Sequence, residues 1–319
     1  MKPIGVIFNP FAYRNKRQTE TQINALKELL GKRGQICVTK SKDEIPKALK
    51  EVLKDVEIVA ISGGDGTISS VISSFINLFG EKNLPMIAPL KGGTINMIAD
   101  DARLRDDQIT ICRTLIRYIE DGYELPSIER GLIRVIDNRF DFNNYAFTWI
   151  DGFLHKFIKL YRAEGANVGV ALKLILKSGI MSLANPRHDL FEEVESKIFL
   201  DGQELPFDSH LFIAAATVKR LVFGFRLFAE EAKAGEEFGF YCMSQAFFRK
   251  ALFQLPRYLY LGVNSDASGN FINRSAKSLK IKGNRGYVID GEVYDTEAPT
   301  DLTLEAGPRV KIFSLKGKK

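Results

Sequence analysis

The sequence predicts a two-domain fold: an N-terminal open parallel α/β sheet followed by a mainly β domain, a C-terminal β-sandwich. Three observations predict it. Apolar strand-like runs alternate with helical repeats as far as about residue 121, the order that builds a parallel sheet with crossover helices. After Leu125-Pro126 the texture turns to short strands divided by turn signals such as Asp137-Asn138 and Asp201-Gly202, as in an antiparallel β domain. At 319 residues the chain also exceeds one ordinary core. The domains are expected at 1–125 and 126–305, with residues 306–319 free to return to the first.

Ile4 to Phe8 reads as a buried strand stopped by Asn9-Pro10, and the loop Phe11 to Gln18 carries Arg14, Lys16 and Arg17. Thr19 to Leu30 has amphipathic helical spacing, Gln35 to Thr39 forms a second strand, and a helix runs from about Lys42 to Leu53. Ile58 to Ile61 is an unbroken apolar run, the pattern of a strand buried on both faces. It ends in Ser62-Gly63-Gly64-Asp65-Gly66-Thr67, after which Ile68, Val71, Ile72 and Phe75 fall at helical spacing. A fourth strand, Pro85 to Leu90, ends in Lys91-Gly92-Gly93-Thr94, and helical pattern resumes at Asn96 and again from Ile109 to Asp121.

In the second domain, Glu129 to Val135, Phe140 to Trp149, Glu195 to Leu200, His210 to Val218 and Glu237 to Met243 are strand-like. Helical patterns interrupt at Val168 to Leu183 and Ser244 to Leu261, and short strands follow Ser265. The second of these helical patterns is both aromatic and basic, which suits a bilayer interface and equally a core-facing stripe.

Strand, glycine turn and helix together build a phosphate site. Glycines admit an anion close to the backbone, and the helix start adds the positive end of its dipole. Asp65 is out of place in a plain phosphate cradle, because its carboxylate needs a metal ion or a transferable proton beside phosphate oxygens. The turn also suits a tight βα loop with a capping aspartate. It lacks the Lys-Ser/Thr pair of a Walker loop and the G-x-G-x-x-G spacing. In a parallel sheet, ligands sit beyond the carboxyl ends of the strands, so Asn9, Thr39, Gly63–Thr67 and Gly92–Thr94 should converge on one crevice.

Composition narrows the function. The net charge of +6 suits an anionic ligand or an acidic surface without demanding nucleic acid, so no nucleic-acid partner is expected. Three scattered cysteines and three scattered histidines argue against a disulfide framework or a zinc site. With neither a secretory leader nor an apolar run of spanning length, the expected location is the cytoplasm, with peripheral membrane contact left open.

The motifs GGDGT, PLKGGTINMIA and, near the C-terminus, IDGEVY resemble those of the diacylglycerol kinase catalytic-domain family, which includes bacterial soluble lipid kinases and, more distantly, sphingosine and ceramide kinases. The resemblance runs through nearly the whole chain. It implies a first domain like those of NAD kinase and phosphofructokinase, and an active site in the cleft between the domains. It further implies ATP with Mg²⁺ as cofactors and a lipid acceptor met at a membrane surface; a homodimer is left open. Gly63, Gly64, Gly66 and Thr67 would then hold phosphates, with Thr94 and Asn96 from the neighbouring turn and with Thr39 and Asn9 lining the crevice. Arg14 and Lys16 are candidates for the phosphate tail, and Asn96 alternatively caps its own helix.

Asp290 and Glu292 alternate along a strand by this reading and face one side. One would take the hydroxyl proton, Asp290 first and Glu292 second, while Glu292 and Asp65 would hold the metal. Asp65 thus belongs to the acidic catalytic set. Asp290-Gly291 alternatively does no more than bend a hairpin. Departures from the family pattern are Asn9-Pro10-Phe11-Ala12-Tyr13 in place of N-P-x-S-G, GGTINM in place of the common GTGND, Ser70 and Ser73 where Glu and Asn usually stand, and Gly152-Phe153-Leu154 in place of G-F-D. Two other readings are a kinase for a soluble hydroxyl such as that of NAD, and a non-catalytic lipid- or nucleotide-binding regulator.

Overall fold

The computed structural model describes residues 4–52, 56–164, 192–206, 208–219, 221, 226–229, 231–244, 247, 257, 261–265 and 271–315. The chain divides into two units, Met1–Arg130 with Pro308–Lys319, and Gly131–Gly307.

Unit one is built on parallel strands. β1 (Ile4–Phe8) pairs with β2 (Gly34–Val38) on one side and β3 (Ile58–Ser62) on the other, and β3 pairs with β4 (Met86–Pro89). The last strand of the chain, β16 (Glu292–Phe313), adds its end to this sheet in parallel, with Ile312 opposite Ile87. The order is therefore β16, β4, β3, β1, β2. β1 and β3 are buried at every residue, which is why they read as continuous apolar runs. β2 is the edge strand and stays partly exposed, so its apolar signal is weaker.

Helices α1 (Thr19–Leu30), α2 (Ile45–Val52), α3 (Asp65–Phe79), α4 (Met97–Asp101) and α5 (Gln108–Glu120) complete the unit. α5 starts at Asp107, whose carboxylate accepts the N–H groups of Ile109 and Thr110 at 2.9 and 3.1 Å. α3 stops at Gly80, whose φ of 81° suits glycine. Chain order runs from β1 outward to β2 and then back across β1 to β3. The sheet thus reverses direction between β1 and β3, and a doubly wound sheet binds its ligand at such a switch point.

Unit two is antiparallel. β14 (Phe271–Ala276), β13 (Phe238–Met243), β12 (Phe212–Ala216), β7 (Thr148–Gly152) and β15 (Ser278–Ile289) are neighbours in that order, and the early stretch of β16 follows. The short strands β8 (Val194–Glu195) and β11 (Ser209–His210) pair with each other, and β10 (Gln203–Glu204) pairs with β9 (Lys197–Leu200). β9 also pairs with residues Leu279–Lys282 of β15, whereas β7 pairs with Tyr287–Ile289. Between these two pairings the ladder with β16 slips at Ile281, Asn284 and Gly286, and Gly283 and Gly286 take φ of 86° and 145°. These slips and glycines let one strand turn its edge from one neighbour to another. In place of two separate sheets of a sandwich, the described strands of this mostly β unit, the β8–β11 pair aside, form one hydrogen-bonded array, with a core that includes Trp149, Ile213, Phe238, Phe240, Leu279, Tyr287 and Leu302.

Several elements differ from the sequence expectation. Phe140 to Trp149 is not one strand: β5 (Ser127–Asp137) is followed by β6 (Asn144–Ala146), and strand pairing is interrupted at Phe147 before β7. α6 (Phe153–Ala163) follows β7 directly, a helix that the sequence pattern does not reveal. Where short strands are expected after Ser265, two of the strands, β15 and β16, are long. Pro299 and Pro308 lie inside β16, where a proline signals a break when no neighbour is visible. The helical patterns at Val168 to Leu183 and across most of Ser244 to Leu261, and the tail Lys316–Lys319, lie outside the described residues. Among the described residues no helix is long and apolar enough to cross a membrane.

Trp149 is the sole tryptophan of the chain, and it is fully buried in the core of unit two. Its fluorescence should therefore report unfolding of that unit. Trp149→Ala should cost about 3–5 kcal/mol, read as a lower urea midpoint by circular dichroism. An unchanged midpoint would contradict the core assignment.

Candidate functional site

The ends of β1, β3 and β4 bring together most of the residues expected of a phosphate site. Asn9 donates from Nδ2 to Thr67 Oγ1 at 3.0 Å, which ties the end of β1 to the first turn of α3. Its backbone N–H reaches Ser62 at 2.9 Å, and Thr39 N–H reaches Phe8 at 2.9 Å, so β1, β2 and β3 end side by side. Thr67 and Thr94 are partly exposed at the surface of this region, whereas Thr39 is buried.

The glycines serve one another. A Cβ on Gly93 would stand 2.4 Å from Gly64 Cα, and one on Gly92 would stand 2.8 Å from Gly63 N. On Gly63 it would strike the Thr67 side chain at 2.5 Å. The two glycine pairs are thus packed backbone on backbone, closer than any side chain allows. The expectation that all the glycines of the first turn clear space for an anion is corrected: Gly63, like Gly92 and Gly93, is buried against neighbours, and Gly64 and Gly66 are the partly exposed ones.

Asp65 joins the same two turns. Its carboxylate accepts the N–H groups of Met97 at 2.9 Å and Ile98 at 3.0 Å, the first residues of α4. A capping aspartate is one of the two readings of this residue from sequence, and it does cap a helix, though not its own. Both oxygens of the residue expected to hold a metal are thus engaged by backbone donors in this structure. Burial pushes its carboxyl up to about 6, against the opposing pull of those two N–H groups, with nearby Asp100 adding to the rise.

Asn96 is buried and holds the left-handed conformation at φ 55°. Its side chain accepts from Gly93 N–H at 2.9 Å and donates to Gly93 O at 2.7 Å, so it shapes its own turn. Both side-chain atoms of Asn96 are thus used in holding the turn in which a phosphate contact is expected of it. Asn96 occupies the N-cap position without a capping side-chain bond. α3, by contrast, starts at Gly64 with no side-chain cap; Thr67 N–H turns back onto Gly64 O at 2.9 Å, and Gly66 beside it is partly exposed. Ser70, one of the family departures, donates to Gly66 O at 2.8 Å within this helix.

In unit two the acidic pair does not lie along one strand. Asp290 and Gly291 form the two-residue turn between β15 and β16, with φ of 45° and 85°, as a type I′ hairpin requires. Glu292 faces Ile289 across the hairpin, so the expectation that both carboxylates share one side is corrected. The Asp290 carboxylate is buried and accepts from Phe147 N–H at 2.9 Å, Thr148 N–H at 2.8 Å and Thr148 Oγ1 at 2.8 Å. It thereby fixes the break between β6 and β7. Glu292 is more open, with about a third of its side chain exposed, and takes both terminal nitrogens of Arg162 at 2.9 and 3.3 Å.

Sequence reasoning missed three further buried side chains. Asp151, one residue before the Gly-Phe-Leu turn, accepts from Asn284 Nδ2 at 2.7 Å and contacts His210 Nε2 at 3.2 Å. Asn15 and Gln108 are buried beside Ser62 at the end of β3. Nothing local marks them, because an asparagine in a basic loop and a glutamine opening a helix look like surface residues. Among the described residues no group of three or more His, Cys, Asp or Glu side chains shares a metal-binding arrangement.

Residues 3–125 match the diacylglycerol kinase catalytic domain. Among solved structures, a diacylglycerol kinase from Bacillus anthracis is similar at 14% identity, with 99% of this chain and 97% of that one covered and a TM-score of 0.63. A second chain from the same bacterium, a candidate diacylglycerol kinase, gives 15% identity, coverage of 99% and 96%, and a TM-score of 0.68. Yeast NADH kinase is similar at 11% identity, with 98% and 83% covered and a TM-score of 0.50. At these identities the likeness is one of fold. No curated protein matches the chain.

Two outcomes follow from the turn geometry. Gly93→Ala should destabilise unit one by about 1–3 kcal/mol through overpacking, more than Gly64→Ala, whose Cβ would meet only Gly93 Cα at 3.3 Å. Urea titration of the two variants compares them directly.

The second concerns pH. Because the folded Asp65 carboxyl titrates at about 6 and its ordinary value is 3.8, the folded state holds the proton more tightly. The associated stability is present below pH 4 and lost as pH rises towards 6, by about 3 kcal/mol at most. Asp65→Asn should flatten that decline in a series of unfolding curves.

Proposed function

Residues 3–125 belong to the diacylglycerol kinase catalytic-domain family, and from that premise we propose that the chain transfers the γ-phosphoryl group of ATP to a hydroxyl of a membrane lipid such as diacylglycerol. The observation that carries the reading is the uncapped N-terminus of α3, set at the switch point between β1 and β3 and flanked by two interlocked glycine turns. Gly64, Gly66 and Thr67 are assigned to the phosphates, with Thr94 from the second turn. Asn9 and Asp65 hold the turns in place, and Thr39 and Asn96 support them from within.

Phosphoryl transfer depends mostly on positioning and on neutralising charge. Backbone N–H groups that are already oriented cost no reorganisation when charge develops. Mg²⁺ bound with ATP would supply neutralisation of the phosphate charge. The two expected protein ligands do not fit a protein-built cage, since Asp65 is engaged by backbone donors and Glu292 by Arg162. Unit two is assigned to the acceptor lipid. Of its two acidic candidates, the less buried Glu292 is assigned to the hydroxyl, which would have to displace or share its Arg162 contact, and Asp290 is the positioning residue that sets the hairpin. The reading places the protein in the cytoplasm with peripheral contact to the membrane.

Incubation with γ-labelled ATP, Mg²⁺ and a total lipid extract tests the proposal. A labelled lipid supports it; a labelled water-soluble product points to a soluble acceptor, and binding without transfer to a regulator. Glu292→Gln should lower kcat by about 10²-fold with KM for ATP little changed. Asp290→Asn should lower the melting temperature first, because it turns an acceptor of three hydrogen bonds into a partial donor. Full turnover by Glu292→Gln would overturn its role.

A further inference from the structure

The loop after β1 reads in sequence as an ordinary basic surface loop. Its centre is instead one of the most buried polar points of the molecule. Asn15 is fully buried, as is Ser62, and Gln108 is nearly so. Asn15 Nδ2 donates to Ser62 Oγ at 3.0 Å, Ser62 Oγ donates to Gln108 Oε1 at 2.6 Å, and Gln108 Nε2 donates back to Asn15 Oδ1 at 3.4 Å. The three bonds form a closed ring with one direction of donation, an arrangement in which each bond polarises the next. Asn15 Nδ2 also reaches the carbonyls of Asn9 at 2.7 Å and Ser62 at 3.2 Å.

The ring joins the loop to β3 and to the first residue of α5, and the loop backbone carries the constraint onward. Arg14 N–H donates to Gly92 O at 2.9 Å, and a Cβ on Gly92 would stand 2.9 Å from Asn15 Nδ2. The loop is therefore seated directly on the second glycine turn. Arg14 and Lys16, on either side of the buried Asn15, have exposed side chains. Both cations thus stand on a loop held against the second glycine turn, the turn that packs on Gly63-Gly64.

We propose that the Asn15–Ser62–Gln108 ring is a positioning device for the polyphosphate of the nucleotide, acting through Arg14 and Lys16. This rests on the nucleotide reading above. The chemistry demands an amide at position 15: a carboxylate there would face two carbonyl oxygens with no proton to share, and an aliphatic residue would leave those carbonyls unpaired.

A double-mutant cycle tests it, with ATP, AMP and adenosine titrated by calorimetry and steady-state kinetics run on the full chain. Asn15→Ala and Arg14→Ala should each raise KM for ATP about tenfold, with kcat within about threefold. Adenosine affinity should be unchanged, and AMP should show a smaller loss than ATP. The double variant should be little worse than either single one, because Asn15 acts through Arg14. Gln108→Leu, at the rim of the ring, should reproduce the effect and serves if Asn15→Ala does not fold. Additive effects, or equal losses for adenosine and ATP, would overturn the positioning role while leaving the kinase reading intact. Failure of the wild-type chain to bind ATP would overturn both.

Discussion

The close approach of two glycine pairs is the constraint on which unit one depends. Gly63-Gly64 and Gly92-Gly93 touch through their backbones, and this contact allows the ends of β3 and β4 to share one surface. From it follow the reach of Asp65 across to α4, the bare start of α3 and the seat of the Phe11–Gln18 loop on Gly92. In most phosphate loops glycine is explained by the ligand. Here half of the explanation lies within the protein, since three of the four residues would clash with protein atoms before any ligand arrived.

Asp65 and Asp290 are parallel cases in separate units. Each is a buried carboxylate next to glycine, and each spends its oxygens on consecutive backbone N–H groups of a distant segment. Carboxylates that accept such pairs hold turns as a covalent link might, at the cost of burying charge. That cost is visible in the raised pKa of Asp65. The acidic residues that stand out most in the sequence are thus organisers, and the less buried Glu292 is the one in contact with solvent.

Much of the parallel sheet was legible because buried parallel strands are apolar throughout and their turns are rich in glycine. β1, β3, β4 and the GGDGT turn all announce themselves in this way. What escaped detection depends on distant partners. The break at Phe147 exists because Asp290, far along the chain, takes its N–H. The length of β16 exists because the residues on either side of Pro299 pair with β15, Asp295 with Gly286 and Thr300 with Asn284, partners that no local pattern encodes. Asn15 and Gln108 are polar by type and buried by circumstance. Period-two alternation suggests that Asp290 and Glu292 face one way, and a left-handed residue in a tight turn cancels that rule.

The strand that closes the parallel sheet comes from the far side of unit two in the chain. Ile312 lies against Ile87, and Ser314 holds the carbonyl of Ala102 across 212 residues of chain. A nascent chain leaving the ribosome therefore exposes an incomplete parallel sheet, with β4 unpaired on one edge, throughout the synthesis of the second unit. The unit begun first is the unit finished last. Translation order alone would then delay completion of the parallel sheet until the whole of the second unit has been made.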